Sequence, residues 1–208
     1  MITKPANNIL NRFTTLPLLL DILINKRLVF SNPTNWPDKN DTAMLEIYKS
    51  AKPANALFVL CFCIGRETIH HWTAFAAGIS GCCVEFDRLQ LIELLSAHNK
   101  SGVRFKKVVY KKRKDNVSNR ISMIPFQKRD PYRIEKEFRA IWVGGKNANP
   151  FEIKIDVRKV IKRITLSPNM PDTLFDTTKA FLHKHFKVTV TPSTLYRNSE
   201  WIKKFGNV

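Results

Sequence analysis

Apolar and polar positions along the chain fall into short stretches of period two and period 3.6, in mixed order. Ile9 to Phe13 reads as a short strand. Thr15 is placed to cap a helix whose first turn is Leu16-Pro17 and whose body runs from Leu18 to Asn25. Arg27 to Ser31 alternates like a strand, and Asn32 to Asn40 is a loop rich in turn residues. Asp41 is predicted to cap a helix reaching Tyr48, and the apolar run Ala56 to Ile64 predicts a central strand.

The stretch His70 to Asp87 holds the densest pattern. Glu67 to Ala77 predicts a helix, Gly78 to Gly81 its stop and turn, and Cys82 to Asp87 a strand. Alternation puts Cys83, Glu85 and Asp87 on one face of that strand and Cys82, Val84 and Phe86 on the other. A carboxylate is costly to bury unpaired, so such a face borders a cleft, meets basic partners or stays in solvent. Asp87 can then cap a helix from Leu89 to His98. Further strands are predicted at Val103–Lys112, Arg139–Val143, Phe151–Asp156, Ile161–Leu166 and Lys187–Thr191, with a helix from Asp172 to His185. Strands and helices do not alternate regularly enough for a doubly wound sheet. One α+β domain spanning residues 1–208 is expected, a mixed or antiparallel sheet with flanking helices.

Charge changes the picture most. The chain carries 35 Lys and Arg against 17 Asp and Glu, a formal net charge of +18. Such a surface attracts polyanions, nucleic acid first. Between Lys100 and Arg139 fourteen basic residues face four acidic ones. The residues expected to touch phosphates are Arg104, Lys106, Lys107, Lys111, Lys112, Arg113, Lys114, Lys128 and Arg129. Tyr110, Phe126 and Tyr132 are interleaved with them, the composition of a groove for single strands, RNA above all. A Lys-rich strand can equally be an edge that blocks aggregation.

The four cysteines, Cys61, Cys63, Cys82 and Cys83, sit in apolar strand-like runs, so buried reduced thiols are expected and no metal site. Beside Lys4 and Pro5 there is no apolar core with a small-residue cleavage site, and Leu16–Ile24 is too short to span a bilayer. A cytoplasmic protein without a membrane partner is expected. Glycines number only seven, and neither a phosphate-cradling motif nor H-E-x-x-H or G-x-S-x-G occurs.

A second constellation is Pro131-Tyr132-Arg133-Ile134-Glu135-Lys136-Glu137-Phe138-Arg139-Ala140-Ile141-Trp142. If extended, Glu135, Glu137 and Arg139 line one face, either to hold a polar ligand or as a ladder of ion pairs. Read in order, the chain's motifs are Arg12-Phe13-Thr14-Thr15-Leu16-Pro17, Leu28-Val29-Phe30-Ser31-Asn32-Pro33 with Trp36, Asp38 and Asn40-Asp41, and Leu60-Cys61-Phe62. His70-His71-Trp72, Gly81-Cys82-Cys83-Val84-Glu85-Phe86-Asp87, Val109-Tyr110 and Glu135-x-Glu137-x-Arg139 follow. From about Arg12 to Leu195 this order resembles a widespread bacterial family of unknown function. More distantly, an early strand with an arginine and a late E-x-E strand resemble ADP-ribosyltransferase toxins.

That second resemblance implies NAD as co-substrate. It makes Glu137 the catalytic glutamate, Glu135 a group positioning the acceptor and His71 a further catalytic candidate. Arg12, Phe13, Ser31, Trp72 and Arg139 would hold NAD. A fixed carboxylate stabilises the oxocarbenium character that builds on ribose as nicotinamide leaves. The protein would then be a toxin or phage-defence effector acting on nucleic acid, with an acidic antitoxin or chaperone as a possible partner. Two alternatives stand beside it. One is a nuclease, using Asp38, Asp41, Glu85 and Asp87 around metal ions or His70 and His71 in acid–base chemistry. The other is a non-catalytic module that binds nucleic acid or a protein partner.

Overall fold

The structure, a computed structural model, describes residues 8–145 and 150–206; Lys4 and Pro5 lie outside them. The elements run β1 (Ile9–Thr15), α1 (Leu16–Asn25), β2 (Arg27–Val29), α2 (Lys39–Ser50), β3 (Ala56–Ile64), α3 (Ile69–Phe75), β4 (Gly81–Asp87), α4 (Arg88–Ala97) and β5 (Val103–Lys107). Then follow β6 (Val109–Lys111), β7 (Gln127–Arg129), β8 (Glu137–Gly144), β9 (Glu152–Lys154), α5 (Val157–Val160), β10 (Ile161–Leu166), α6 (Asp172–Phe186), β11 (Val190–Pro192) and α7 (Ser199–Lys203). Short 3-10 turns at Ile121–Phe126 and Asp130–Glu135 flank β7.

Seven strands form one sheet in the order β11-β10-β4-β1-β3-β8-β5, antiparallel except for the parallel pair β10–β11. The fold is α+β, as expected. The apolar run Ala56–Ile64 is an interior strand, paired along its length with β8 and near its end with β1.

Register divides the sheet into two unlike faces. Leu10, Leu60, Phe62, Val84, Phe86, Phe138 and Ile164 share the first with α1, α4 and α6, and form the main core. Full burial of each such side chain stabilises by about 1.5–3 kcal/mol, so this face carries the fold. The second face holds Asn11, Phe13, Cys61, Cys63, Cys83, Glu85, Glu137, Arg139, Arg163 and Thr165, brought into line by the pairs Asn11↔Cys63, Asn11↔Glu85, Cys63↔Glu137 and Glu85↔Arg163. Most charged side chains of the sheet interior face this way, Arg12 of β1 being an exception. Smaller apolar clusters cover it locally, one around Leu45, Val59 and Ile141 and one around Phe13, Cys63 and Trp72.

Several predicted boundaries move, each for a local reason. The helix predicted from Asp41 starts earlier, because Asp38 accepts from the Asn40 amide and caps it. Thr15 makes no side-chain cap; the Leu16 amide donates to the Ser80 carbonyl instead, at 2.8 Å. The strand predicted to Ser31 ends at Val29, and Ser31 makes an isolated bridge to Val59 of β3. The helix after Glu67 is trimmed by Thr68, whose hydroxyl accepts from the His71 amide. The long basic strand splits at Val108, which is buried and donates its amide to Glu137 O, so β6 leaves the large sheet and pairs with β7. Asp87 caps α4 as predicted, accepting from Leu89 and Gln90. Among the described residues no helix is long and apolar enough to cross a membrane.

Candidate functional site

Motifs far apart in sequence meet under the second face. Arg139, fully buried on β8, donates Nε and one terminal nitrogen to the two oxygens of Glu137, at 2.6 and 2.8 Å. Both terminal nitrogens reach Asp41 of α2, at 2.8 and 2.7 Å, and one also reaches the Pro125 carbonyl at 3.0 Å. All five donors of a guanidinium are thereby spent inside the protein. Lys128 of β7 adds a second cation, 2.6 Å from Glu135, 3.5 Å from Asp41 and 3.7 Å from Glu137. The Glu137 amide donates to Tyr110 Oη at 2.8 Å.

Two cations thus hold three carboxylates. Burial alone would raise the Glu137 carboxyl, but Arg139 and Lys128 hold it below the ordinary carboxylate range. Burial wins at Glu135, which is raised. Lys128, pulled down by burial, is pushed above its usual value by Glu137, Asp41 and Glu135. The Cys61 thiol is raised well above its ordinary value by burial and by Glu137.

The catalytic set implied by the toxin resemblance lies in this geometry as follows. Glu137 is 4% exposed with both oxygens on Arg139, so it presents no free charge to a ribose. Glu135 is not in the strand: it ends the 3-10 turn, and Lys136 follows in the left-handed region at φ 45°. Arg12 leaves β1 on the apolar face, opposite Val84, whereas Glu137 leaves β8 on the other face. One Arg12 terminal nitrogen donates to the Cys61 carbonyl at 2.9 Å, where β1 and β3 no longer pair.

His71 is buried. Its Nδ1 lies 3.1 Å from Thr68 Oγ1 and its Nε2 lies 3.2 Å from the Glu135 carbonyl. A carbonyl can only accept, so Nε2 carries a proton. Burial, the largest cause, lowers its pKa. Phe13 stacks on this ring at 4.8 Å and meets Trp72 edge-on, so both aromatics are packing residues. Ser31 Oγ is turned onto the Val59 carbonyl at 3.1 Å. Of the residues assigned to NAD or to catalysis, Arg139 and Glu137 are in contact, and Phe13 is in contact with Trp72 and His71. Arg12 and Ser31 stand apart from both groups.

The four carboxylates of the nuclease reading are engaged elsewhere. Asp38 and Asp87 are helix caps, Asp41 pairs with Arg139, and Glu85 pairs with Arg163 at 2.5 Å. β4 and β8 are three strands apart, about 14 Å at the usual strand spacing. Among the described residues no group of three His, Cys, Asp or Glu side chains is placed to hold a metal ion.

The basic segment keeps its cations and loses its aromatics. β5 is an edge of the sheet, with Arg104, Lys106 and Lys107 exposed, and Lys112, Arg113 and Lys114 stand in solvent beyond β6. Lys111 is half-buried. None of Lys106, Lys107, Lys111, Lys112, Arg113 and Lys114 makes an ion pair among the described residues. Arg129 is exposed, 3.6 Å from Asp38. Lys128 is the exception, spent in the buried cluster. Tyr110 and Phe126 are buried, and half-buried Tyr132 lies under Lys128 and Arg129, so none of these three rings presents an open face to a base.

Sequence reasoning missed Lys128 as a counter-ion and Glu67 as a fixed carboxylate. Lys128 meets Asp41 across 87 positions and Glu67 meets Ser193 across 126, contacts that only folding makes. No family model matches the chain, and no curated protein sequence matches it.

Proposed function

We propose that this protein binds nucleic acid through the phosphate backbone, along the rim formed by β5, β6 and the turn after β6. The observation that carries the reading is the row of exposed cations, Arg104, Lys106, Lys107, Lys112, Arg113 and Lys114, on a chain of net charge +18. The acids nearby in sequence do not neutralise them. Asp130 is taken by Arg133, Asp115 accepts from the Lys112 amide, and Glu135 and Glu137 are inside. With Tyr110 and Phe126 buried and Tyr132 covered by two cations, contacts of this segment fall on phosphates, and phosphate contacts carry no sequence information directly. The reading is therefore a binder with little base preference, in place of a stacking groove for single strands.

Counterion release supplies the test. Each phosphate neutralised contributes about 0.7 (single strands) to 0.9 (duplex) to the slope of log K against log salt. Replacing Lys111, Lys112, Arg113 and Lys114 together with Gln should lower that slope by about 3 and weaken RNA binding across sequences alike. Fluorescence anisotropy over a salt series on two unrelated oligonucleotides measures both. An unchanged slope removes the segment Lys111 to Lys114 from the binding surface.

A further inference from the structure

Away from the rim, the second face of the sheet opens into a cleft of about 580 Å³ over β1, β4, β10 and β11, walled by the segment Gly65-Arg66-Glu67. β10 and β5 are five strands apart, about 24 Å, so this cleft is separate from the basic rim. Its distinctive member is Glu67. Trp72 Nε1 donates to Oε2 at 2.7 Å and Ser193 Oγ donates to the same oxygen at 2.8 Å. Trp72 is 2% exposed, so the carboxylate is anchored from the core.

Glu67 has no cation within ion-pair distance among the described residues, and no protein donor reaches Oε1. Oε1 is also not among the side-chain atoms sealed from solvent without a partner, and Glu67 lines the cleft, so this oxygen is open to solvent there. The result is a half-buried carboxylate fixed by two neutral donors, with one oxygen to offer. Opposite, Arg163 holds Glu85 by Nε at 3.0 Å and by a terminal nitrogen at 2.5 Å, and Thr165 and Thr191 line the floor. Arg66 is exposed on the rim of the cleft and makes no ion pair among the described residues.

These groups define a ligand. A fixed carboxylate oxygen takes either a cation or hydroxyl donors. The whole-molecule field of a chain at +18 repels a cationic ligand and draws an anionic one. Hydroxyls are then the partner of Glu67, and an anionic group on the same ligand reaches Arg66, a donor fork matched to phosphate. Carboxylates grip sugar hydroxyls in this way elsewhere in protein chemistry. We infer that the cleft binds a phosphorylated ribose, free or as part of a nucleotide, with its hydroxyls on Glu67 and its phosphate on Arg66.

Isothermal titration of the full chain tests this with ribose 5-phosphate, 2-deoxyribose 5-phosphate, adenosine monophosphate and inorganic phosphate. Ribose 5-phosphate should bind, inorganic phosphate at least about tenfold more weakly, and loss of the 2-hydroxyl should cost about tenfold, the scale of one hydrogen bond to a charged group. Glu67→Gln should weaken ribose 5-phosphate by about the same factor and erase the preference over the deoxy sugar. Arg66→Ala, at an exposed position, should weaken every phosphorylated ligand and keep the preference; it also carries the test should Glu67→Gln not fold. A tighter complex with adenosine monophosphate assigns the site to nucleotides, and equal affinities assign it to the free sugar phosphate. The inference is overturned if neither ribose ligand binds, if ribose and deoxyribose bind alike, or if inorganic phosphate binds as well as either. Because no rim residue is touched, these outcomes are independent of the salt-slope result.

Discussion

A single side chain, Arg139, decides what Glu137 can be. Removing one partner of a buried pair leaves an uncompensated charge and costs on the order of 3–5 kcal/mol. Glu137→Gln keeps one acceptor but not the charge, so a loss of about 3 kcal/mol is expected, read as a lowered thermal midpoint. An unchanged midpoint together with lost NAD turnover would restore Glu137 as a catalytic group. The pH dependence has a definite sign. The folded state holds Glu137 below the ordinary carboxylate range, so its stabilisation is present above that range and lost as pH falls through it. Raised Glu135 acts the other way, regaining stability as it takes up a proton. Wild-type stability should fall below about pH 4.5, and Glu137→Gln should make that acid limb shallower in denaturant titrations at several pH values. In the sequence Glu135, Glu137 and Arg139 already stood out as a group. Asp41 and Lys128 did not, because their roles depend on contacts across 98 and 87 positions with Arg139 and Asp41 respectively.

Elements were legible where one physical signal dominated. The apolar run of β3, the capping aspartate of α4 and the alternation of β4 each predicted an element within a residue or two. Where two signals competed, tertiary contacts chose. Val103–Lys112 is continuous by propensity, yet burial of Val108 breaks it into two strands in different sheets. The turn into β4 depends on one glycine. A Cβ on Gly81 would lie 1.9 Å from the Ala76 carbonyl oxygen, a backbone atom that cannot swing aside. Gly81→Ala should therefore destabilise by about 2 kcal/mol or more, while Gly78→Ala, at φ 79° in open space, should cost about 1 kcal/mol. Urea midpoints for the two variants give the comparison, and equal values would refute the steric account.

At the scale of the whole molecule, charge is the dominant fact. Thirty-five basic residues on 208 repel one another in the compact state. Salt screens that repulsion, with a Debye length near 10 Å at 0.1 M. The thermal midpoint should rise between low salt and about 0.15 M sodium chloride, and rise further with a polyanion such as polyphosphate at equal ionic strength. A midpoint that ignores both would mean that the cations are already neutralised internally, which the few ion pairs on the rim argue against.

The sequence by itself determined the α+β class, most strands and helices, the excess of positive charge and its concentration between Lys100 and Arg139. These follow from composition and from periods of two and 3.6, which are local. Only the tertiary structure decided which charges meet. It spent Glu137, Arg139, Asp41 and Lys128 on one another, closed Tyr110 and Phe126 into the interior, and left Glu67 with an open oxygen above the sheet. Register across strands distant in the chain sets which face each side chain takes. That pairing comes from the cooperative burial of the sheet's apolar face, and no window of sequence contains it.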